Sequence, residues 1–237
     1  MSRISEHFSG KSLAAALAVA VCLCQGCGTG EYERRLNQRV QTLGSESAFA
    51  GLGQVVDLPG TPLQLSLPSA LARVEAGAGR VNPPFMEIPD RKLTYEGFIT
   101  DAQGGKQHYY CYVAISTVAA VGEGSPINPI YNRTRAAFPD LNVTTEDVHI
   151  KTPEGRAIVW QRFRFTGMQG FFYADQTGQQ KSVDMDGILE VWARLEQEAG
   201  FHVIVVWRVP SGIAGKDYAN LAERASLVAG SIRLKKE

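Results

Sequence analysis

Three of the four cysteines in the chain, Cys22, Cys24 and Cys27, lie close together near the amino end. A thiolate is a metal ligand and also a nucleophile that accepts covalent modification, so the cluster has two candidate chemistries. A zinc site needs a further pair of Cys or His residues at ligand spacing, and no such pair follows Cys27. The sequence therefore predicts no metal ligand here, and covalent modification is the chemistry to consider.

The residues around the cysteines have the order of a secretory signal. Arg3 and Lys11 supply a positive amino-terminal region, and the apolar run Leu13–Leu23 follows them. Because a helix needs about 20 apolar residues to span a bilayer, this run fits a cleaved segment better than a permanent anchor. An ordinary cleaved signal and an uncleaved anchor stay open as alternatives.

The end of the run, Gly26-Cys27-Gly28, resembles the lipobox of bacterial lipoproteins. The family has a small residue before the modified cysteine, as Gly26 is here. It usually has Leu three positions before that cysteine, where this chain has Cys24 with Leu23 one step further back. The resemblance implies that Cys27 becomes the lipidated first residue of the mature protein and attaches it to a membrane.

Charge excludes one class of partner. Removal of residues 1–26 takes Arg3, Glu6 and Lys11 from a chain with 24 basic and 24 acidic residues, which leaves 22 and 23. A nucleic-acid partner or a polybasic membrane contact would require a clustered basic excess. The sequence therefore predicts no nucleic-acid partner, and its length suits one domain of ordinary size.

Other chemistry-bearing residues do not form a recognisable site. Asp184-x-Asp186-Gly187 lacks the flanking carboxylates of a calcium loop, and Gly122–Pro126 lacks the order of a nucleophile elbow. Cys111 is expected to be a small buried hydrophobe with no disulfide partner after processing. No catalytic, cofactor-binding or metal-ligating residue is predicted, and the three histidines after the signal are scattered over strand candidates: His108, His149 and His202.

A helix and a tether are expected directly after the signal. The run Glu31–Leu43 predicts a helix, and the Gly-, Ser- and Ala-rich run Ser45–Gly60 predicts a tether. Two interpretations stay open, in which the helix holds the domain away from the membrane or packs on the domain. Its apolar residues form one narrow stripe: Tyr32, Leu36, Val40 and Leu43.

The first half of the domain alternates strand patterns with turn signals. A short strand is predicted at Pro62–Pro68, and an irregular loop at Glu75–Pro89. Leu93–Thr100 and Gln107–Ser116 are rich in aromatic and β-branched residues and predict a hairpin around Gly104-Gly105.

The middle of the domain predicts a short helix within Pro126–Phe138 and a second hairpin of Val143–Lys151 with Arg156–Phe165. Phe171–Ala174 is expected to be a further strand. The polar run Asp175–Asp186 is expected to be a loop.

The last part predicts two strands and a helix. Ile188–Leu195 is ambiguous between helix and strand, and a strand is favoured because Glu196–Gly200 then turns into Phe201–Val209. That last run is apolar on both parities and predicts a central buried strand. Asp217–Ala229 predicts the strongest helix, and Ser231–Leu234 an edge strand or tail.

The aromatic residues on these strands have two possible uses. Most aromatics fill cores and sheet faces, and a few line ligand grooves. The set on predicted strands consists of Tyr95, Tyr109, Tyr110, Tyr112, Trp160, Trp192 and Trp207.

Two segments resemble a known family of domains. Val206-Trp207-Arg208-Val209-Pro210, followed by a helix and Val228–Arg233, is similar to the end of Mog1/PsbP-like domains and of the related LpqN-type lipoproteins. Leu63–Pro68 resembles their opening strand. The resemblance covers residues 60–234 in outline, and the loop at Glu75–Pro89 departs from it. It implies an antiparallel sheet flanked by helices, as an α/β/α sandwich, and binding or assembly work rather than catalysis.

These observations predict an α+β protein in three parts: a signal at 1–26, a helix and tether at 27–59, and a globular domain at 60–237. The expected role is a non-enzymatic binding or structural lipoprotein of the bacterial cell envelope, lipid-anchored at Cys27 with its domain outside the cytoplasm. The expected partners are the membrane and an unidentified protein or small molecule. A small-ligand carrier with an aromatic groove is the first alternative, and an enzyme whose site is assembled from distant residues is the second.

Overall fold

The computed structural model describes residues 29–74, 91–100, 107–120, 127–137, 139–175, 177–211, 213 and 224–235. The chain divides into two units, Met1–Gly44 and Ser45–Glu237. In the first unit, the described residues form the start of a helix. Glu31 lies in the first turn of this helix, which is a favourable place for an acidic side chain.

The described elements are two helices, residues 224–230 of a third helix, and ten strands. In chain order they are α1 (Thr29–Phe49), β1 (Gln54–Asp57), β2 (Leu63–Leu67), β3 (Ala72–Arg73), β4 (Arg91–Thr100), β5 (His108–Ala119), α2 (Ile127–Ala137), β6 (Asn142–Lys151), β7 (Ala157–Ala174), β8 (Gln180–Glu196), β9 (Phe201–Pro210), α3 (224–230) and β10 (Arg233–Leu234). Among the helices in the described part of the chain, none combines the length and apolar character that crossing a membrane requires.

Seven strands form one antiparallel sheet in the order β3-β4-β5-β9-β8-β7-β6. The strand β9 lies between β5 and β8, with Val206 opposite both Ala114 and Val191. Its residues Val203–Pro210 are buried on both sides, which explains why its sequence is apolar on both parities. The prediction of a central strand at Phe201–Val209 is therefore confirmed.

The two faces of this sheet are covered differently. A second, three-stranded sheet, β1-β2-β10, and the segment α3 cover one face, where Leu65 and Val228 join the larger buried cluster. On the other face, Tyr131 of α2 packs against the rings of Phe163 and Phe165 at 5.0 and 5.9 Å. The molecule is mostly antiparallel sheet with few helices, so the expectation of a sheet flanked by helices holds only in part.

The long hairpin of β7 and β8 bends back on the sheet. The strand β9 ends at Pro210, opposite Gly187 of β8, and Gly187 is itself paired with Gly167 of β7. Beyond this point the far end of β7 pairs with the start of β5, with Tyr173 opposite Tyr109. The strands β5, β9, β8 and β7 therefore form a closed ring of paired neighbours.

The absence of a side chain at Gly187 leaves space for the ring of Phe171. A Cβ atom at position 187 would lie 2.4 Å from Cζ of Phe171, whose ring is fully buried. We expect Gly187→Ala to lower the free energy of unfolding by about 1–3 kcal/mol, because the ring has no free space into which to move. Chemical denaturation measures the effect.

Two further variants separate this clash from a general effect of replacing glycine. Gly30→Ala is the matched control, since an added Cβ meets nothing within 4 Å on an exposed helix, and it should not destabilise. Phe171→Leu removes the clashing ring atoms, so the double variant should lose less than the sum of the two single losses. Additive losses would contradict the proposed contact.

The predicted tether at Ser45–Gly60 is wrong. The helix α1 continues to Phe49, and β1 then pairs with β2 from Gln54 opposite Leu67 to Asp57 opposite Gln64. The physical reason is that Leu52 and Leu58 are buried in the larger cluster, which the small residues around them conceal in the sequence. These residues belong to the folded unit that starts at Ser45.

The loop predicted at Asp175–Asp186 is also wrong. The strand β8 starts at Gln180, which is paired with Ala174 of β7. The carboxylate Oδ1 of Asp175 accepts hydrogen bonds from the backbone N–H groups of Thr177 and Gln179, at 2.9 and 3.0 Å. The polar residues that follow form a strand because backbone pairing with β7 does not depend on apolar side chains. Phe171–Ala174 is part of β7 and not a separate strand.

Most of the other predicted helices and strands are present in the structure. The hairpins β4–β5 and β6–β7, the helix α2, and the strands at 63–67 and 188–195 are confirmed. The loop Glu75–Pro89 and the turn Gly104-Gly105 lie outside the described residues. Of the helix predicted at Asp217–Ala229, the structure describes only 224–230, where Ala225, Val228 and Ala229 are buried.

Candidate functional site

Of the four cysteines, the structure describes Cys111. Cys22, Cys24 and Cys27 lie outside the described residues, so lipidation of Cys27 stays a prediction. Cys111 is buried in β5, and burial raises the pKa of its thiol to about 12. A thiol that is hidden and protonated at neutral pH is a core residue, as the sequence predicted.

The histidines are not brought together. His108 is the first residue of β5. His202 belongs to β9 and is paired with Val118 near the other end of β5, so most of that strand separates the two histidines. His149 is on the edge strand β6, opposite Val159. In the described part of the chain, no three His, Cys, Asp or Glu side chains are grouped so that they could hold a metal ion.

The strand aromatics mostly fill the core. Trp160, Trp192, Trp207 and Tyr95 belong to the larger buried cluster, and Tyr110 and Tyr112 to the smaller one. Only Tyr109 of this set is half-buried, and its ring lies 5.6 Å from that of Tyr173. These positions favour a packing role over the lining of a ligand groove.

A groove of about 950 Å³ lies where the hairpins β6–β7 and β8–β9 approach β10. Its lining is polar and of mixed charge, and the described residues that line it include no aromatic one. The acidic residues are Asp147, Glu154, Glu196 and Glu198, and the basic residues are Arg156, Arg194 and Arg233. Three exposed apolar side chains lie among them: Val159, Leu195 and Leu234.

The carboxyl group of Glu196 is the most buried charge of this groove. Arg194 Nε lies 3.2 Å from Glu196 Oε1, and both side chains are largely covered. Burial raises the pKa of Glu196, and the Arg194 guanidinium opposes this rise. The folded chain therefore binds a proton at Glu196 more readily than an unfolded chain does.

This shift makes a pH-dependent prediction. A carboxyl with a raised folded-state pKa contributes stability below its unfolded pKa, and this contribution is lost as the pH rises through the folded value. The variant Glu196→Gln has no carboxyl to ionise. We therefore expect its stability advantage over the parent chain to grow as the pH rises from mildly acidic to neutral, as measured by urea denaturation. Glu154→Gln, at an exposed position of the same groove, is the matched control, and an equal gain there would contradict the assignment.

A ladder of charged side chains crosses β6, β7 and β8. Glu146 and Arg162 form an ion pair across β6 and β7. Glu190 Oε1 lies 3.6 Å from both Arg162 Nη1 and Arg164 Nε. Glu190 Oε2 accepts a hydrogen bond from Trp192 Nε1 at 3.0 Å.

The ladder is tied to the core by this tryptophan. The Arg162 guanidinium lies 5.0 Å above the Trp192 ring, which is fully buried. A cation over an indole face adds attraction beyond the ion pairs, which are weak where they are exposed. The ladder therefore fixes charges of both signs on one side of the sheet.

Arg208 is buried inside the ring of strands. Its guanidinium lies 4.4 Å above the Phe171 ring and donates hydrogen bonds to the Gly170 carbonyl and, at 3.5 Å, to Gln169 Oε1. Burial lowers the pKa of Arg208 to about 9, so the side chain stays protonated at neutral pH. These contacts hold the second half of β7, beyond Gly167, against β9. This half is called the bent half of β7 below, and Arg208 has a structural role in holding it.

Sequence reasoning missed the groove, the ladder and the buried contacts of Arg208. The groove joins β6, β7, β8 and β10, which are distant in the chain. One signal was present, because Arg162 and Arg164 share the parity of the core residues Ile158 and Trp160. An arginine in line with a core face is expected to have an acidic or aromatic neighbour.

Comparisons with known proteins give few relatives. No family model and no curated protein sequence matches the chain. The Ran-binding protein Mog1p of Saccharomyces cerevisiae is structurally similar, with a TM-score of 0.36 and 10% identity over 76% of this chain and 94% of that chain. A mutant of Mog1 aligns with the same TM-score and identity, over 76% of this chain and 95% of that one.

A protein of Bacteroides thetaiotaomicron is also similar, with a TM-score of 0.35 and 14% identity over 78% of this chain. The alignment covers 50% of that protein, so this chain spans about half of its length. Mog1 is therefore among the structural neighbours of this antiparallel sheet. Similarities at these TM-scores carry no conclusion about family, partner or activity.

Proposed function

We propose that this chain is a lipid-anchored protein of the bacterial cell envelope whose folded unit binds a protein partner and catalyses no reaction. The observation that carries the binding role is the mixed-charge groove beside β10. The observation that carries the anchor is the Gly26-Cys27-Gly28 sequence after a short apolar run.

The composition of the groove supports a macromolecular partner. Protein interfaces combine exposed apolar side chains with charged and polar residues at their rim. Here Val159, Leu195 and Leu234 are exposed among charges of both signs. Small-molecule sites are mainly apolar and aromatic and have few polar groups, which this lining does not resemble.

The ladder on β6, β7 and β8 is a second charged feature of the folded unit. Glu146 and Arg164 are both substantially exposed, and Arg162 and Glu190 fix the charges between them. Charges held in fixed positions discriminate between partners by electrostatic complementarity. The mixed charges of the groove therefore suit a partner with its own pattern of acids and bases, and the ladder offers further fixed charges to such a partner.

Site-specific crosslinking tests the binding surface. A photoreactive residue at Leu195 should give one discrete crosslinked product in intact cells, and the same residue at exposed Met168, on the bent half of β7, should not. The partner identified in that product is then purified, and Arg233→Glu should weaken its binding about tenfold or more, as the loss of an interfacial charge pair does. Equal crosslinking at both positions, or unchanged affinity, would contradict the proposal.

The anchor is tested with two matched cysteine variants. Cys27→Ser should abolish lipid attachment and leave an unprocessed chain, whereas Cys24→Ser should be processed and lipidated like the parent. Mass spectrometry of the amino terminus identifies the first residue and its modification. An unmodified mature terminus, or one that starts elsewhere, would refute the anchor.

A further inference from the structure

The first turns of α1 carry an exposed apolar stripe. Tyr32, Leu36 and Val40 are 67%, 48% and 60% exposed, and they recur every four residues. Because an α-helix has 3.6 residues per turn, the three side chains lie within an arc of about 80°. Single exposed apolar residues are common on protein surfaces, but three on successive turns of one face form a continuous strip.

Arginines flank this strip on one side, and exposed Glu33 lies about 60° from Leu36 on the other side. At 100° per residue, Arg39 lies about 60° and Arg35 about 100° from Leu36, on the same side of the helix. Arg35 Nη2 also donates to Glu31 Oε1 at 2.7 Å, one turn earlier. Arg34 lies about 160° away, on the opposite face. An apolar strip with arginines at its edge is the arrangement of helices that lie in the plane of a membrane surface.

The position of the helix in the chain indicates what covers the strip. The helix begins at Thr29, two residues after Cys27. Two extended residues reach about 7 Å at most, so a lipid on Cys27 places the first turn of α1 at the membrane surface. We propose that the face of Tyr32, Leu36 and Val40 lies in the headgroup region of the membrane to which Cys27 is attached, with Arg35 and Arg39 at the lipid phosphates. This inference rests on the proposed lipid anchor.

The anchor makes a weak strip sufficient. Three apolar side chains bind a membrane poorly from free solution, but an attached lipid makes the contact intramolecular and raises the effective concentration of the surface. A tyrosine is suited to the headgroup region because its ring is apolar and its hydroxyl is polar.

A second copy of the chain is the competing occupant. A two-stranded coiled coil needs apolar residues at alternating spacings of three and four. The stripe has spacings of four, four and three from Tyr32 to Leu43, which do not repeat this alternation. A lipid surface has no such requirement and is therefore the occupant that the sequence favours.

Fluorescent labels at two positions of the full-length lipidated protein test the inference. The variants Leu36→Cys and, as the matched control on the opposite face, Arg34→Cys are labelled with an environment-sensitive thiol dye. The buried Cys111 thiol, with its raised pKa, should not react, and the parent chain shows whether this holds. The proteins are placed in vesicles of phosphatidylethanolamine and phosphatidylglycerol, and flotation with the vesicles is measured on the same samples.

The expected result is a blue-shifted dye at position 36 that iodide quenches about threefold less than the dye at position 34. Equal quenching in samples that float would overturn the inference and leave the anchor intact. Samples that lack the lipid and do not float would refute the anchor and the inference with it. Protection at position 36 that disappears when the protein is diluted in excess lipid would assign the strip to a second copy and overturn the inference.

Discussion

A chain that begins at residue 60 is expected to be much less stable than one that begins at residue 45. The shorter chain lacks β1, which pairs with β2, and also Leu52 and Leu58, which are buried in the larger cluster. Burial of each leucine contributes about 1.5–3 kcal/mol, so the two together account for roughly 3–6 kcal/mol. Urea denaturation followed by circular dichroism compares the two chains.

A pair of single substitutions separates the loss of the core from the loss of chain length. Leu58 is 0% exposed, whereas Val55 on β1 is 58% exposed. Leu58→Ala should cost about 2–5 kcal/mol, and Val55→Ala should stay within about 1 kcal/mol. If the chain from residue 60 is as stable as the chain from residue 45, then β1 is not part of the fold as described.

Trp160→Ala should have a similarly large effect. Trp160 is fully buried on β7, opposite Val148 of β6, and belongs to the larger cluster. Removing a buried tryptophan leaves a cavity that the paired strands cannot fill, at a cost of about 3–5 kcal/mol. The loss should appear as a lower denaturation midpoint with an unchanged slope.

The control for this variant is Trp160→Phe, which keeps most of the buried area. The indole Nε1 of Trp160 makes no hydrogen bond to the described residues, so its loss leaves no partner unsatisfied. We expect a cost of less than about 1.5 kcal/mol. Comparable losses in both variants would mean that a specific indole contact, and not burial, stabilises the site.

Local patterns were sufficient to predict most of the sheet. The runs at 93–100 and 201–209 are long, rich in β-branched and aromatic residues, and bounded by turn signals, so periodicity alone identifies them. Strand β1 could not be identified in this way, because four residues among small ones show too little of a period. Its pairing with β2 and the burial of Leu58 are tertiary facts that no local window contains.

The candidate site was less accessible from the sequence. The groove places Asp147, Arg156, Glu196 and Arg233 on one surface, although they come from four different parts of the chain. Each of these residues is locally indistinguishable from a solvated surface charge. Arg208 differs from these residues, because a lone arginine inside an apolar strand is a local signal of a buried polar contact, although the sequence analysis made no use of it and its partners on β7 are distant in the chain.

The ring of strands contains one short junction, the pairing of β5 with β7, and we expect the ring to open there first. Among the described residues, the pairing of β5 with β7 involves two residue pairs, whereas β8 pairs with β7 and β9 over much of their length. Native-state hydrogen exchange should therefore find a separate low-energy opening at this junction, in which the amides near Tyr173 lose protection while those of β9 keep theirs. The far end of the β7–β8 hairpin would then be a cooperative unit of its own, which swings away while the central strands stay paired.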